Sequence, residues 1–221
     1  MGGTVTLKAA DGFSLSAYTA GSASAKAGLV VVQEIFGVNH HMRDMTDRFA
    51  AAGYLAISPA LFDRVERGVE LGYTPDDIAK GRDYRMKLND AQVIQDIEAA
   101  AAYLGAKKLG IVGYCFGGTV AWWGATRTTK FAASSCWYGG GIAGTKDERP
   151  HCPVQMHFGE KDASIPMSDV EAVRMAQPKA ETYVYMGAGH GFGCDERGSF
   201  SQPDYELARK RALDFFAKHL G

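Results

Sequence analysis

The sequence predicts an α/β fold, a mostly parallel twisted sheet with helices on both faces. Three observations carry that expectation. Strand-like and helix-like segments alternate along the chain. Leu29-Val30-Val31-Val32 is an unbroken apolar run rich in β-branched residues, the composition of a strand buried on both faces. A glycine-flanked turn, Gly113 to Gly118, joins an apolar strand directly to a helix.

The elements follow in order. Val5 to Ala9 and Ser14 to Thr19 read as two strands around an Asp11-Gly12 turn, an opening hairpin. After the strand at Leu29–Val32 comes a helix over about His41 to Ala52, with Met42, Met45, Phe49 and Ala52 near one face and Gly53 as its C′ glycine. Tyr54 to Ser58 is a strand stopped by Pro59. Residues 60–86 are polar and glycine-rich, and read as a long irregular stretch of the kind that often carries function. A helix over Asp90 to Leu104 follows, with Val93, Ile97, Ala100, Ala101 and Leu104 on its apolar stripe. Then come the strand Leu109–Gly113, a helix from Phe116 to Arg127 whose Trp122 and Trp123 read as core, and strands at Phe131–Tyr138, Val154–Phe158 and Thr182–Met186. The last helix spans about Tyr205 to Leu220. No linker, repeat or low-complexity tract interrupts the 221 residues, so a single domain over 1–221 is expected.

Composition narrows the function classes. The chain is 46% hydrophobic and 22% charged, with 24 basic against 25 acidic residues. No basic block points to nucleic acid or to an anionic membrane surface. The N-terminus lacks the charged and apolar regions of a secretory signal, and no apolar run reaches the ~20 residues needed to span a bilayer. A cytoplasmic location is the expectation. Cys115, Cys136, Cys152 and Cys194 are scattered without a C-x-x-C pair, which favours four reduced thiols.

Gly113-Tyr114-Cys115-Phe116-Gly117-Gly118 is the G-x-S-x-G nucleophile elbow with cysteine in place of serine. A sharp strand-to-helix turn would present the sulfur at the C-terminal edge of the sheet, where open α/β sheets bind ligands. The helix start favours a thiolate, and the Phe116 N–H is placed to stabilise an oxyanion. The bland alternative is a tight turn with Cys115 as a small buried residue. The order nucleophile, acid, histidine then selects the partners. Asp162 ends the segment Gly159-Glu160-Lys161-Asp162 after a late strand, with Glu160 as its nearest competitor; a solvated turn aspartate is the bland reading. His190 stands in Gly189-His190-Gly191, on the loop before the last helix. His40, His41, His151, His157 and His219 lack such a setting, and none shows metal-ligand spacing. No metal and no cofactor are expected.

Val32-Gln33-Glu34-Ile35 ends a buried strand with a carboxylate, which must be paired or shift its pKa. Glu34 could take a proton from Cys115, pair with an arginine near the pocket, or simply reach solvent. The Ile35 N–H would be a second oxyanion donor.

These motifs, with Trp137-Tyr138-Gly139, appear in an order and at separations that resemble the dienelactone hydrolase (carboxymethylenebutenolidase) family over about residues 3 to 220. The resemblance implies an α/β-hydrolase fold and hydrolysis of a carboxylate-bearing unsaturated γ-lactone to maleylacetate, in aromatic degradation. It implies Cys115 as nucleophile, His190 as base, Asp162 as its orienter and Glu34 as the residue that activates the thiol. It also implies two arginines on the substrate carboxylate. One is Arg82, with Arg85 as rival. The other falls four residues after the histidine, where this chain has Cys194, while Gly191 stands where a serine is often found. Arg197 is a substitute that spacing alone cannot place, and the departure bears on the substrate more than on the chemistry. Trp137 and Tyr138 could line the pocket or pack. Rival readings are a general carboxylesterase or thioesterase on the same triad, and a redox-sensing or binding module with a reactive Cys115. The expected partner is a small lactone or ester, with the protein a monomer or weak homo-oligomer.

Overall fold

The computed structural model describes residues 2–105 and 108–221. Eight strands form one sheet: β1 (Gly3–Lys8), β2 (Ser14–Ala20), β3 (Ala27–Val32), β4 (Leu55–Pro59), β5 (Lys108–Tyr114), β6 (Ala133–Trp137), β7 (Val154–Gly159) and β8 (Glu181–Tyr185). Their order is β1-β2-β4-β3-β5-β6-β7-β8. β1 pairs antiparallel with β2, and β2 antiparallel with β4; every other pairing is parallel. This is the α/β-hydrolase fold, and the opening hairpin stands as expected.

The described residues form six helices: α1 (His40–Ala51), α2 (Pro75–Lys87), α3 (Asp90–Leu104), α4 (Phe116–Arg127) and α5 (Met167–Ala176) lie between strands, and α6 (Gln202–Leu220) follows β8. α1 and α6 meet through Phe49 and Phe216 on one face of the sheet. α3 and α4 pack together against the other. Every residue of β3, β6 and β7 is buried, and β3 accordingly runs apolar without alternation; β6 and β7 also bury Ser134, Ser135, Gln155 and His157, each of them hydrogen-bonded.

Two helices lie where irregular chain or nothing is expected from the sequence. The stretch 60–86 holds a 3-10 turn at Leu61–Arg64 and nearly all of α2. The start of α2 is a capping box: Thr74 accepts from the Asp77 N–H, Asp77 returns the contact to the Thr74 N–H, and Pro75 enters the first turn. α2 buries only Gly81 and Tyr84, so its hydrophobic periodicity is faint. α5 is likewise short and buries Val170 and Val173 alone. The parallel pairing of β7 with β8 nonetheless demands a crossover there.

Candidate active site

The site begins at the turn from β5 to α4. Cys115 has φ 55° and ψ −116°, a positive-φ conformation that few side-chain-bearing residues adopt. Close packing enforces it. A Cβ on Gly117 would lie 2.3 Å from the Val32 carbonyl oxygen and 2.6 Å from that of Gln33. α4 therefore starts against the backbone at the end of β3. The Cys115 N–H donates to the Trp137 carbonyl at 3.0 Å, tying the turn to β6.

Two loops complete the constellation. Asp162 follows β7; its side chain is wholly buried, and its Oδ1 accepts from the Ser164 N–H at 2.8 Å. His190 follows β8, and its carbonyl accepts from the Ser199 hydroxyl. Asp162 Oδ2 stands 2.7 Å from His190 Nδ1, and His190 Nε2 stands 3.2 Å from Cys115 Sγ. Burial disfavours the His190 imidazolium, but the negative sulfur and the hydrogen bonds to Asp162 and Cys115 outweigh it, so its pKa is pushed up to about 10. The arrangement stabilises an imidazolium between the Asp162 carboxylate and the sulfur. Glu160, the competing acid, instead accepts from the Gly187 N–H.

Beside the sulfur lies a cleft of about 370 Å³, lined among others by Ile35, Phe36, Ile78, Phe116, Thr119 and Trp123. The backbone N–H groups of Ile35 and Phe116 donate to no protein acceptor among the described residues. α2 approaches the Ile35 segment so closely that a Cβ on Gly81 would meet the Ile35 carbonyl at 2.1 Å. That contact sets the arginines of α2 at the rim.

Arg82, Arg85 and Arg197 all line the cleft. Arg85 pairs with Asp90 at 2.8 Å and lies over the Phe116 ring. Arg197 pairs with Glu34 at 3.2 Å, whereas Arg82 has no carboxylate partner among the described residues. Glu34 is fully buried, and its Oε1 is the oxygen that meets Arg197. The structure shows one of the readings open for Glu34, its pair with an arginine at the cleft. Cys194 is buried away from the cleft. Arg197 comes in from farther along the loop, with its guanidinium over Phe36 and Tyr73. Gly191 makes room for it: φ there is +75°, and a Cβ would stand 2.5 Å from Arg197 Nη1.

The structure corrects the pocket reading of two residues. Trp137 and Tyr138 do not line the cleft; they are 1% and 0% exposed. They form the wall behind the histidine, with the Tyr138 ring 5.3 Å from that of His190 and Phe192 packed on both. Trp122 and Trp123 both pack in the core as expected, and Trp123 also reaches the cleft. Phe36, Ile78, Thr119 and Ser164 also line it, and nothing in their local sequence marks them as pocket residues. Linear spacing suggests no metal ligands, yet the fold gathers Glu34, His41 and Cys194 with their ligand atoms within 4.8 Å of one another. All four cysteines are free thiols. Among the described residues no helix is long and apolar enough to cross a membrane.

Comparison with known proteins gives the same architecture a lineage. The model of the dienelactone hydrolase family matches residues 15–220. A Synechocystis protein provisionally named carboxymethylenebutenolidase is 38% identical over 212 residues, covering 87% of this chain and 86% of that protein. One from Escherichia coli K12, with the same provisional name, is 34% identical over 213 residues, covering 87% and 77%. The crystal structure of a provisionally named dienelactone hydrolase from Klebsiella pneumoniae superposes with a TM-score of 0.85 at 32% identity, covering 99% of this chain and 98% of that one. The Pyrococcus furiosus esterase Pf2001, at 14% identity and a TM-score of 0.75 over 100% of this chain and 93% of its own, shares the fold. The chain belongs to the dienelactone hydrolase family and is a hydrolase of the α/β-hydrolase fold.

Proposed function

We propose that the protein opens carboxylate-bearing enol lactones, of the dienelactone-to-maleylacetate type, through Cys115, His190 and Asp162. One observation carries the reading. The hydrogen-bonded chain from Asp162 through His190 to the Cys115 sulfur ends at a cleft that also holds Arg82, Arg85 and Arg197.

The substrate carboxylate docks on Arg82 and Arg197, and the apolar ring lies along Ile35, Phe36 and Ile78. The Cys115 thiolate attacks the lactone carbonyl. The oxyanion develops toward the Ile35 and Phe116 N–H groups, which have no protein acceptor to give up. The tetrahedral intermediate collapses by breaking the ring C–O bond, which leaves an enolate and a Cys115 thioester. An enolate is a stable leaving group, so it needs little acid assistance; the His190 imidazolium gives it its proton. Neutral His190 then takes a proton from water as the hydroxide adds to the thioester. Collapse releases the carboxylic acid and restores the thiolate–imidazolium pair. Asp162 holds the imidazole in one tautomer and balances its charge.

The test is a kinetic panel of acidic lactones, neutral aryl esters and thioesters, run on the wild type and on Arg82→Ala and Arg197→Ala. The expected result is a preference for the acidic lactone and a selective loss of it in both variants, by about tenfold or more in kcat/KM per lost charged contact. A flat preference that neither substitution changes would point to a general esterase or thioesterase.

A further inference from the structure

A second cluster of chemically active side chains lies behind the cleft, outside the reacting atoms. Glu34 comes from the end of β3, His41 from the first turn of α1, and Cys194 from the loop before α6. All three are fully buried. Two of their atoms are orphans: neither Glu34 Oε2 nor His41 Nε2 has a hydrogen-bond partner among the described residues. Leaving a buried polar atom unpaired is unfavourable, and more so for a charged one. Two such atoms facing one small volume call for an occupant.

The surroundings say what kind. His41 Nδ1 lies 3.2 Å from Asp195 Oδ1, and Asp195 is itself anchored by Arg48. A carboxylate on Nδ1 fixes the proton there and turns the Nε2 lone pair inward. That is the arrangement in which a metal-bound histidine is oriented by a carboxylate behind it. Cys194 is buried beside Glu34, and its sulfur is the third ligand atom of the group. The hydroxyl of Tyr73 stands beside that sulfur.

We infer that Glu34, His41 and Cys194 form a binding site for a divalent cation of the zinc type. The donor set of one carboxylate oxygen, one imidazole nitrogen and one thiolate suits a borderline-soft ion. Tetrahedral bonds of roughly 2.0–2.3 Å place ligand atoms about 3.3–3.8 Å apart. Closing the present 4.8 Å spread moves them together by about an ångström. Binding releases the Cys194 proton to solvent and sets one thiolate and one carboxylate against the two positive charges. Glu34 takes the ion on Oε2 and keeps Arg197 on Oε1, so the ion pins β3, α1 and the 191–197 loop together behind the cleft. It touches no reacting atom, and the inference stands apart from the proposed reaction.

The test uses Co²⁺ as probe on the full chain carrying Cys115→Ser, because the Cys115–His190–Asp162 group would otherwise compete for the metal. One equivalent of cobalt should bind and give a near-ultraviolet sulfur-to-cobalt charge-transfer band. Cys194→Ser should abolish the band, and His41→Gln should weaken binding. Asp195→Asn leaves every ligand atom in place and should weaken binding about 10–100-fold by releasing the imidazole. Absence of the band, its survival in Cys194→Ser, or unchanged cobalt affinity in Asp195→Asn would overturn the site. A proton shared between Glu34 and His41 would then fill the gap. Should Cys194→Ser fail to fold, the Asp195→Asn measurement decides.

Discussion

Replacing Gly191 by alanine tests how the second arginine reaches the cleft. The residue sits at φ +75°, where a side chain costs roughly 1–2 kcal/mol. The new methyl would stand 2.5 Å from Arg197 Nη1, 2.7 Å from its Cζ and 2.9 Å from its Nε. Those atoms are the far end of a flexible side chain, so the steric cost is small once the guanidinium moves. What the guanidinium leaves behind costs more. The Glu34 side chain is only 1% exposed, against 16% for Arg197. Breaking a buried pair by removing one partner costs about 3–5 kcal/mol; partial access of water to Arg197 argues for the lower end. With the backbone strain added, the destabilisation is about 4 kcal/mol. At roughly 2–4 °C per kcal/mol for a chain of this size, the melting temperature should fall by about 8–16 °C. The ratio of kcat/KM for an acidic lactone to that for a neutral ester should also fall, by about tenfold or more. A double-mutant cycle isolates the cause: on a Glu34→Gln background no carboxylate is stranded, and the cost of Gly191→Ala should shrink to the backbone strain alone. An unchanged melting temperature and an unchanged ratio in Gly191→Ala would refute the account.

Three further outcomes are expected. Cys115→Ala should lower kcat by on the order of 10³-fold or more, read with the preferred lactone; substantial retained turnover would remove the sulfur from the mechanism. Asp162→Asn should lower kcat/KM by about 10²–10⁴-fold with little change in KM, because the 2.7 Å contact to His190 loses its charge and its hold on the tautomer; a loss under about fivefold contradicts the assignment. His190 is held at about 10 in the folded chain against an ordinary 6.5, so the stability its charge supplies is complete below pH 6.5 and is lost as pH rises toward 10. Urea unfolding of wild type and His190→Gln should show the gap between them narrowing over that window; a gap that widens runs against the sign.

The parts of the site written in contiguous residues are legible without the fold. The Cys115 elbow depends on glycines one or two places away, and the approach of α4 to β3 that requires Gly117 is already implied by strand, turn and helix in succession. Asp162 and His190 are legible because chain order and strand ends restrict where an acid and a base can stand. The arginines are not, since Arg197 arrives through the path of a loop, and the room for it depends on the handedness of Gly191. Trp137 and Tyr138 mislead for a related reason. Proximity to the site in sequence says nothing about direction, and β6 ends by turning Tyr138 through φ 38° into the wall behind His190. α2 is hidden because a helix that buries a glycine and one tyrosine leaves almost no periodic signal; its capping box at Thr74 is the available cue. The Glu34–His41–Cys194 cluster joins three chain segments, and no local spacing encodes it.

The three cleft arginines are not equivalent, and their internal partners rank them. Arg197 already holds a carboxylate buried in the protein, so a substrate anion there shares the guanidinium with Glu34 and gains less than it would from a free cation. Arg85 is committed to Asp90 and lies on the Phe116 face, where its flat guanidinium extends the apolar wall. Arg82 has no carboxylate to displace among the described residues and is exposed on α2, where it meets an incoming anion first. Its exposure makes that attraction long-ranged but sensitive to salt. The Arg197–Glu34 pair, being buried, is screened far less. If the substrate is acidic, as proposed, its capture divides into two physical roles. On the proposed function, Arg82 would supply attraction at the rim, and Arg197, paired with Glu34 and given passage by Gly191, would fix the carboxylate relative to the sulfur. Because Glu34 directly precedes Ile35, the anchor of Arg197 and the proposed oxyanion donor are adjacent residues just after β3. On the proposed mechanism, a substrate that engages Arg197 would thereby be registered against the N–H group that receives its developing charge.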